Sequence, residues 1–206
     1  MENKAFQEML KAAVARIQKK TPEDMAQKAG IIYHKAASKF ELESLKQSVI
    51  VEYPSCRLSE KLEEWHTLIL LHYLEMADGT PLSGQWTTFG SLKDGLVRGT
   101  KFDHTVEEEL QKTFCGKSLE QIREVCEKAG GQFAEGRADL CVEFFLFPQY
   151  SVLLKIWLED EEFPLTGKMF VDSTAEHYLT MEDSVTAGSV ILEKLKRLNE
   201  QTKWCK

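Results

Sequence analysis

The sequence lacks every short signature that would name a reaction. It has no G-x-S-x-G nucleophile elbow, no G-x-x-x-x-G-K-[ST] phosphate loop, no two-histidine metalloprotease helix and no EF-hand spacing. Its five cysteines, Cys56, Cys115, Cys126, Cys141 and Cys205, are odd in number and scattered, with no C-x-x-C or C-x-x-H pair. That pattern disfavours a disulfide framework, a zinc ribbon and an iron–sulfur cluster. The apolar run Leu68–Leu71 is far short of the roughly 20 residues that cross a bilayer. The opening stretch MENKAFQEMLKAAVARIQKK has neither an apolar h-region nor a cleavage site. A cytoplasmic protein with no membrane partner is expected. Lys and Arg total 26 against 33 Asp and Glu, giving a net charge of −7 without any basic stripe. Nucleic acid demands clustered cations to neutralise its phosphates, so it is not an expected partner.

What is present is ordinary globular composition: 206 residues, 43% hydrophobic and 29% charged. With no internal repeat and no low-complexity linker, residues 1–206 read as one domain, with residues 1–20 as an amphipathic helix that is docked or appended. The centre of the chain is Leu62–Leu92, beginning LEEWHTLILLHYLEMADGTPLSGQW. Leu62, Trp65, Ile69, Leu70, Tyr73, Met76 and Ala77 fall in one arc of a helix, and Leu68, Leu71 and Leu74 interrupt the other side. A helix apolar nearly all round is a buried one. Asp78, Gly79 and Pro81 end it.

Around this helix the periodicity alternates. Thr21 as cap, Pro22 at the first position and Gly30 beyond the end frame a short helix over 22–29. Phe40 and Leu42, then Val49, Val51 and Tyr53, alternate with polar residues across a Lys46–Gln47 turn, which reads as a β-hairpin. Residues 84–102 read as ordered loop. Thr105 or Asp103 is expected to cap a helix through Phe114, and Ser118 with Gln121 forms a capping box for the next. Residues 138–147 and 151–158 are the strongest strands, apolar on both faces and so expected to be covered on both, with the central helix on one. A strand at 168–171 and a helix capped by Thr180 and Asp183 complete an α+β fold. It consists of a small, mostly antiparallel sheet, a buried central helix and flanking helices.

The candidate chemistry is acidic. Glu159–Glu162, Asp172, His177, Glu182 and Asp183 include carboxylates and a histidine that could share a proton or hold a hard cation. The competing explanation is plainer: acids at a tight turn and in the first turn of a helix serve solvation and the helix dipole, so no metal is assigned. His66 lies amid apolar neighbours and reads as a core histidine, while His72, six residues on, cannot pair with it as a helical metal ligand. His177 and Tyr178, between the last strand and last helix, are placed where loops carry function. The turn GTPLSG offers Thr80 and backbone N–H groups, and Trp86 and Phe89 could wall a pocket, although a helix stop and an aromatic core explain the same residues.

Two stretches carry a resemblance: LHYLEMADGTPLSGQWTTF over 71–89 and WLEDEEFPLTGKMFVDSTAEHYLTMED over 157–183. They resemble a family of anaerobic bacteria and archaea catalogued as domain of unknown function 3786. Its D-E-E-F-P, F-D-x-S-A, H-Y-L and E-D patterns correspond to Asp160–Pro164, Phe170–Ala175, His177–Leu179 and Glu182–Asp183, with Val171 and Thr174 interrupting the second. Relatives often join this domain to a four-cysteine iron–sulfur module like those of corrinoid-linked one-carbon enzymes, and no such module occurs in this sequence. The resemblance implies a link to anaerobic one-carbon or corrinoid metabolism and assigns no activity or cofactor.

The expected function is a non-enzymatic accessory domain that binds a protein partner or small ligand. The surface expected to do so comprises Asp78, Thr80, Trp86, Asp160, Glu162, Asp172, His177, Tyr178 and Asp183. The alternative is a hydrolase or lyase using a carboxylate and His177 as acid and base, with or without a divalent ion.

Overall fold

The computed structural model describes residues 4–202, so Cys205 lies outside the described residues. Helix α1 (Lys4–Ile17) lays Phe6, Ala13 and Ile17 into the core, and α2 (Pro22–Ala29) follows with Gly30 in the left-handed conformation just past its end. Strands β1 (Ile32–His34), β2 (Lys39–Ser44) and β3 (Gln47–Glu52) form a three-stranded antiparallel sheet. The hairpin turn falls one residue earlier than its polar pattern suggested. Ser44 pairs with Gln47, and Leu45 and Lys46 both take positive φ, as a two-residue turn requires.

Helix α3 (Glu64–Met76) is the buried element, with His66, Leu68–Leu71, Tyr73 and Leu74 withdrawn from solvent. Trp65, expected on its inward arc, is instead 47% exposed and packs edge-on against Phe6 at 5.4 Å. The two-residue strand β4 (Trp86–Thr87) and a 3-10 turn at Phe89–Ser91 lead into α4 (Gly95–Phe114). The expected loop over 84–102 holds as far as Asp94 apart from these two short pieces and fails from Gly95 on, where the glycines serve close packing. A Cβ on Gly99 would lie 2.2 Å from the Phe89 carbonyl oxygen. Asp103 does not cap α4 but sits inside it and accepts from the Phe89 and Gly90 amides at 3.1 and 2.9 Å. Helix α5 (Leu119–Lys128) opens with the expected Ser118–Gln121 capping box.

The second sheet has strand order β4-β8-β7-β6-β5, all antiparallel, built from β5 (Gln132–Ala134), β6 (Leu140–Phe147), β7 (Tyr150–Trp157) and β8 (Thr166–Asp172). Helix α6 (Met181–Gln201) closes the described chain, capped by the Thr180 side chain as expected. A register shift between Phe145 and Phe147 sets Phe147 opposite Tyr150, on the face of Val152 and Leu154. There Phe147 stacks on Tyr73 of α3 at 4.6 Å, and Tyr73 stacks on Tyr178 at 5.5 Å.

The helices gather on that one face. Leu110 of α4 meets Gly167, and Val142 packs close to Gly131, just past α5. The other face carries Cys141, Ser151 and Leu153, buried, among Glu143, Phe145, Lys155, Trp157 and Phe170, half-buried, with Lys168 exposed. Full coverage on both faces was the expectation, and on this face only the middle of the sheet is withdrawn from solvent. Phe145 and Phe170 are partly screened by their own neighbours, and Lys155 lies over the Phe170 ring at 5.1 Å. No helix of the described residues is long and apolar enough to cross a membrane.

Candidate functional site

Residues 79–85 leave the end of α3 as irregular chain, and irregular chain must find partners for its backbone amides. Asp172, at the end of β8, supplies them. Its Oδ1 accepts from the Ser83 amide at 3.1 Å, the Ser83 hydroxyl at 2.8 Å, the Thr174 amide at 2.9 Å and the Thr174 hydroxyl at 2.7 Å. Its Oδ2 accepts from the Gly84 amide at 2.7 Å. Burial to 2% exposure opposes the charged form, but the hydrogen bonds from Thr174 and Ser83 outweigh it and hold the carboxyl below its ordinary pKa. Asp172 is therefore an ionised loop clamp that accepts five hydrogen bonds, four of them at Oδ1. Trp86 sits beside it, paired across β4 and β8 and half-buried.

The same loop brings Asp78, Thr80, His177 and Tyr178 together. His177 Nδ1 donates to Asp78 Oδ2 at 2.6 Å, with Thr80 Oγ1 at 3.1 Å from the same nitrogen, and the Tyr178 hydroxyl donates to the Thr80 carbonyl. The His177 bond first, and the Thr80 amide next, draw the Asp78 carboxyl down to about 2. An aspartate-oriented imidazole is half of an acid–base pair. Among the described residues no hydroxyl bonds its second nitrogen: Thr80 faces the nitrogen already bonded to Asp78, and the Ser83 hydroxyl donates to Asp172.

Asp183 joins a different histidine. His72 Nδ1 donates to its Oδ1 at 2.8 Å, and the Thr180 hydroxyl donates to Oδ2 at 2.7 Å. Burial works against ionisation there, and the His72 and Thr180 bonds overcome it, leaving the pKa lowered. His66, the expected core histidine, is buried at 7% exposure with Nε2 2.8 Å from the Ser44 hydroxyl. Burial, then the charge of Lys194, push its pKa down to about 4.

Asp160 is separate again. Its Oδ1 accepts from the Glu162 and Phe163 amides, both at 2.8 Å, and its own amide donates to the Phe163 carbonyl at 3.0 Å. Glu159 accepts from the Gly116 amide at 3.2 Å, tying the turn to the chain beyond α4. Glu161 and Glu162 are exposed. The turn thus holds Phe163 out at 65% exposure beside a groove of about 680 Å³. Trp157, Phe163 and Pro164 line the groove together with the carboxylates Glu107, Asp139 and Asp160.

The expected residues therefore divide into three places. The cluster around residues 78–86 holds Asp78, Thr80, Trp86, Asp172, His177 and Tyr178. Asp183 lies with His72, and Asp160 and Glu162 lie at the β7–β8 turn. Among the described residues no group of three or more His, Cys, Asp and Glu is placed to hold a metal ion.

Compared with known families, residues 21–194 match the model of the family described as domain of unknown function (DUF3786). The chain belongs to that family. No curated protein and no solved structure matches it. Within this DUF3786 chain, the G-T-P-L-S-G and F-V-D-S-T stretches are the two sides of one hydrogen-bonded clamp, and D-E-E-F-P is the turn that presents Phe163.

Sequence reasoning missed the groove partners Glu107, Asp139 and Trp157, which come from α4, the β5–β6 connection and β7. It also missed a cleft that joins Lys61, Lys194 and Arg197. Lys194 is half-buried there.

Proposed function

We propose that the protein is a non-catalytic binding domain that takes a basic segment of a protein partner in the groove between α4 and the β7–β8 turn. Phe163 carries this reading. A large apolar side chain left mostly exposed on a turn that three hydrogen bonds hold in place is the form an interface anchor takes. Beside it, Trp157 supplies a second aromatic face, and Glu107, Asp139 and Asp160 supply negative charge. Aromatic rings and carboxylates together select Arg and Lys, through cation–π contact and ion pairing. The volume lies within the roughly 300–1,000 Å³ typical of binding pockets.

The acid–base alternative finds less support. Asp172 already accepts five hydrogen bonds, among the described residues no hydroxyl bonds the second nitrogen of His177, and Asp160 and Asp183 lie away from both. The anaerobic one-carbon or corrinoid metabolism suggested by the family resemblance is the setting in which we would seek the partner.

The test is a titration of ¹⁵N-labelled protein with the tetrapeptide Arg-Lys-Arg-Lys, followed by NMR. Shifts concentrated at the Trp157 indole and the amides of 158–166, weakening as salt rises, are expected. Shifts spread evenly over the acidic surface, or none at those positions, would overturn the reading.

A further inference from the structure

We propose a second site, independent of the groove: a cleft that binds a phosphate group between the β2–β3 turn, the N-terminal end of α3 and the second half of α6. The cleft has a volume of about 130 Å³, and Lys61, Glu63, His66, Lys194 and Arg197 line it together with Ser44. Three cations gathered in one recess of a chain with net charge −7 are a local reversal of sign. Glu63 is already engaged, accepting from Arg197 at 2.7 Å. Among the described residues neither Lys61 nor Lys194 has a carboxylate partner.

Lys194 bears the cost of this arrangement. Burial first, and the neighbouring Arg197 charge second, draw its pKa down, and its own charge depresses His66 in turn. Like charges facing a partly enclosed space repel until an anion occupies it. The α3 terminus adds to the attraction. Glu63 at its cap makes no side-chain capping bond, so the first-turn amides at this end are left uncapped by it, although Glu64 lies in the same turn.

Size narrows the ligand. The cleft is far larger than the ~10–15 Å³ needed for one water and smaller than the ~300 Å³ lower bound of pockets for drug-sized molecules. A phosphate group fits that interval, either as the free ion or as the head of a monoester whose remainder stays outside the cleft.

The experiment is thermal unfolding of the intact chain with sodium phosphate against sodium chloride at equal ionic strength, repeated with glycerol 3-phosphate. A saturable rise in Tm specific to phosphate is expected, together with movement of the His66 imidazole resonances. Lys194→Met and Lys61→Ala should each weaken the apparent phosphate affinity at least tenfold. Lys61→Ala changes an exposed side chain, so its result does not depend on repacking the core. Tighter binding of glycerol 3-phosphate would assign the site to a monoester headgroup, and equal binding to the free ion. No difference between phosphate and chloride, or phosphate binding by both variants equal to that of wild type, would overturn the proposal.

Discussion

The Asp172 carboxylate accepts from both the amide and the hydroxyl of Ser83, 89 positions away in the chain, at 3.1 and 2.8 Å. Three more donors from Gly84 and Thr174 complete the set. The aspartate that sequence reasoning placed among candidate acids is the fastening of the 79–85 segment to the second sheet. Asp172→Ala leaves these donors unpaired and is expected to cost about 3 kcal/mol in urea unfolding. Asp172→Asn should cost less, about 1–2 kcal/mol, because its amide can satisfy one set of donors and opposes the Gly84 or Thr174 side. A lowered folded pKa means that this contribution is intact above the unfolded value of about 3.9 and is lost as pH falls through the folded one. Equal stability of wild type and both variants at pH 7 would rule out the clamp.

His66 predicts a second acid sensitivity in a higher window. Unfolded, the imidazole takes up a proton near pH 6.5, whereas folded it resists until about 4. The unfolded state therefore binds more protons between those values, and stability falls as pH drops from 6.5 to 4, by up to ~3 kcal/mol. His66→Gln should flatten the stability profile across that window while the loss below it persists. A wild-type profile level from pH 7 to 4.5 would contradict this assignment.

The glycines around α4 predict an order of damage. On Gly188 a Cβ would meet the rim of the Phe102 ring at 2.5 Å, and on Gly99 it would meet the Phe89 carbonyl oxygen at 2.2 Å. A ring can turn aside at a cost of about 1–3 kcal/mol, but a backbone carbonyl held by its own chain yields less. Gly99→Ala should destabilise more than Gly188→Ala, as read from urea midpoints of the two variants. The reverse order would show that the Phe89 turn moves freely.

Much of the fold was legible because local chemistry and global packing agree. Pro22 and Gly30 bracket α2, although the Thr21 side chain makes no cap bond, and Ser118 and Gln121 box α5. The start of α4 was illegible because Gly95 and Gly99 look like loop residues until Phe89 is seen lying against them. The site was legible as residues and illegible as geometry. Asp78 meets His177 across 99 residues and Ser83 meets Asp172 across 89, distances that carry no periodic signal. The exposure of Phe163 depends on where the Asp160 turn points, and the cationic cleft depends on two helices and a hairpin meeting.

Phe163→Ala separates stability from recognition. A side chain this exposed adds little to folding, so the variant should unfold within about 0.5 kcal/mol of wild type. Wild type should bind Arg-Lys-Arg-Lys in isothermal titration calorimetry at low salt, and Phe163→Ala, with its fold intact, should lose at least tenfold in affinity. Equal affinity in the two proteins would contradict the assignment of the groove as the binding surface.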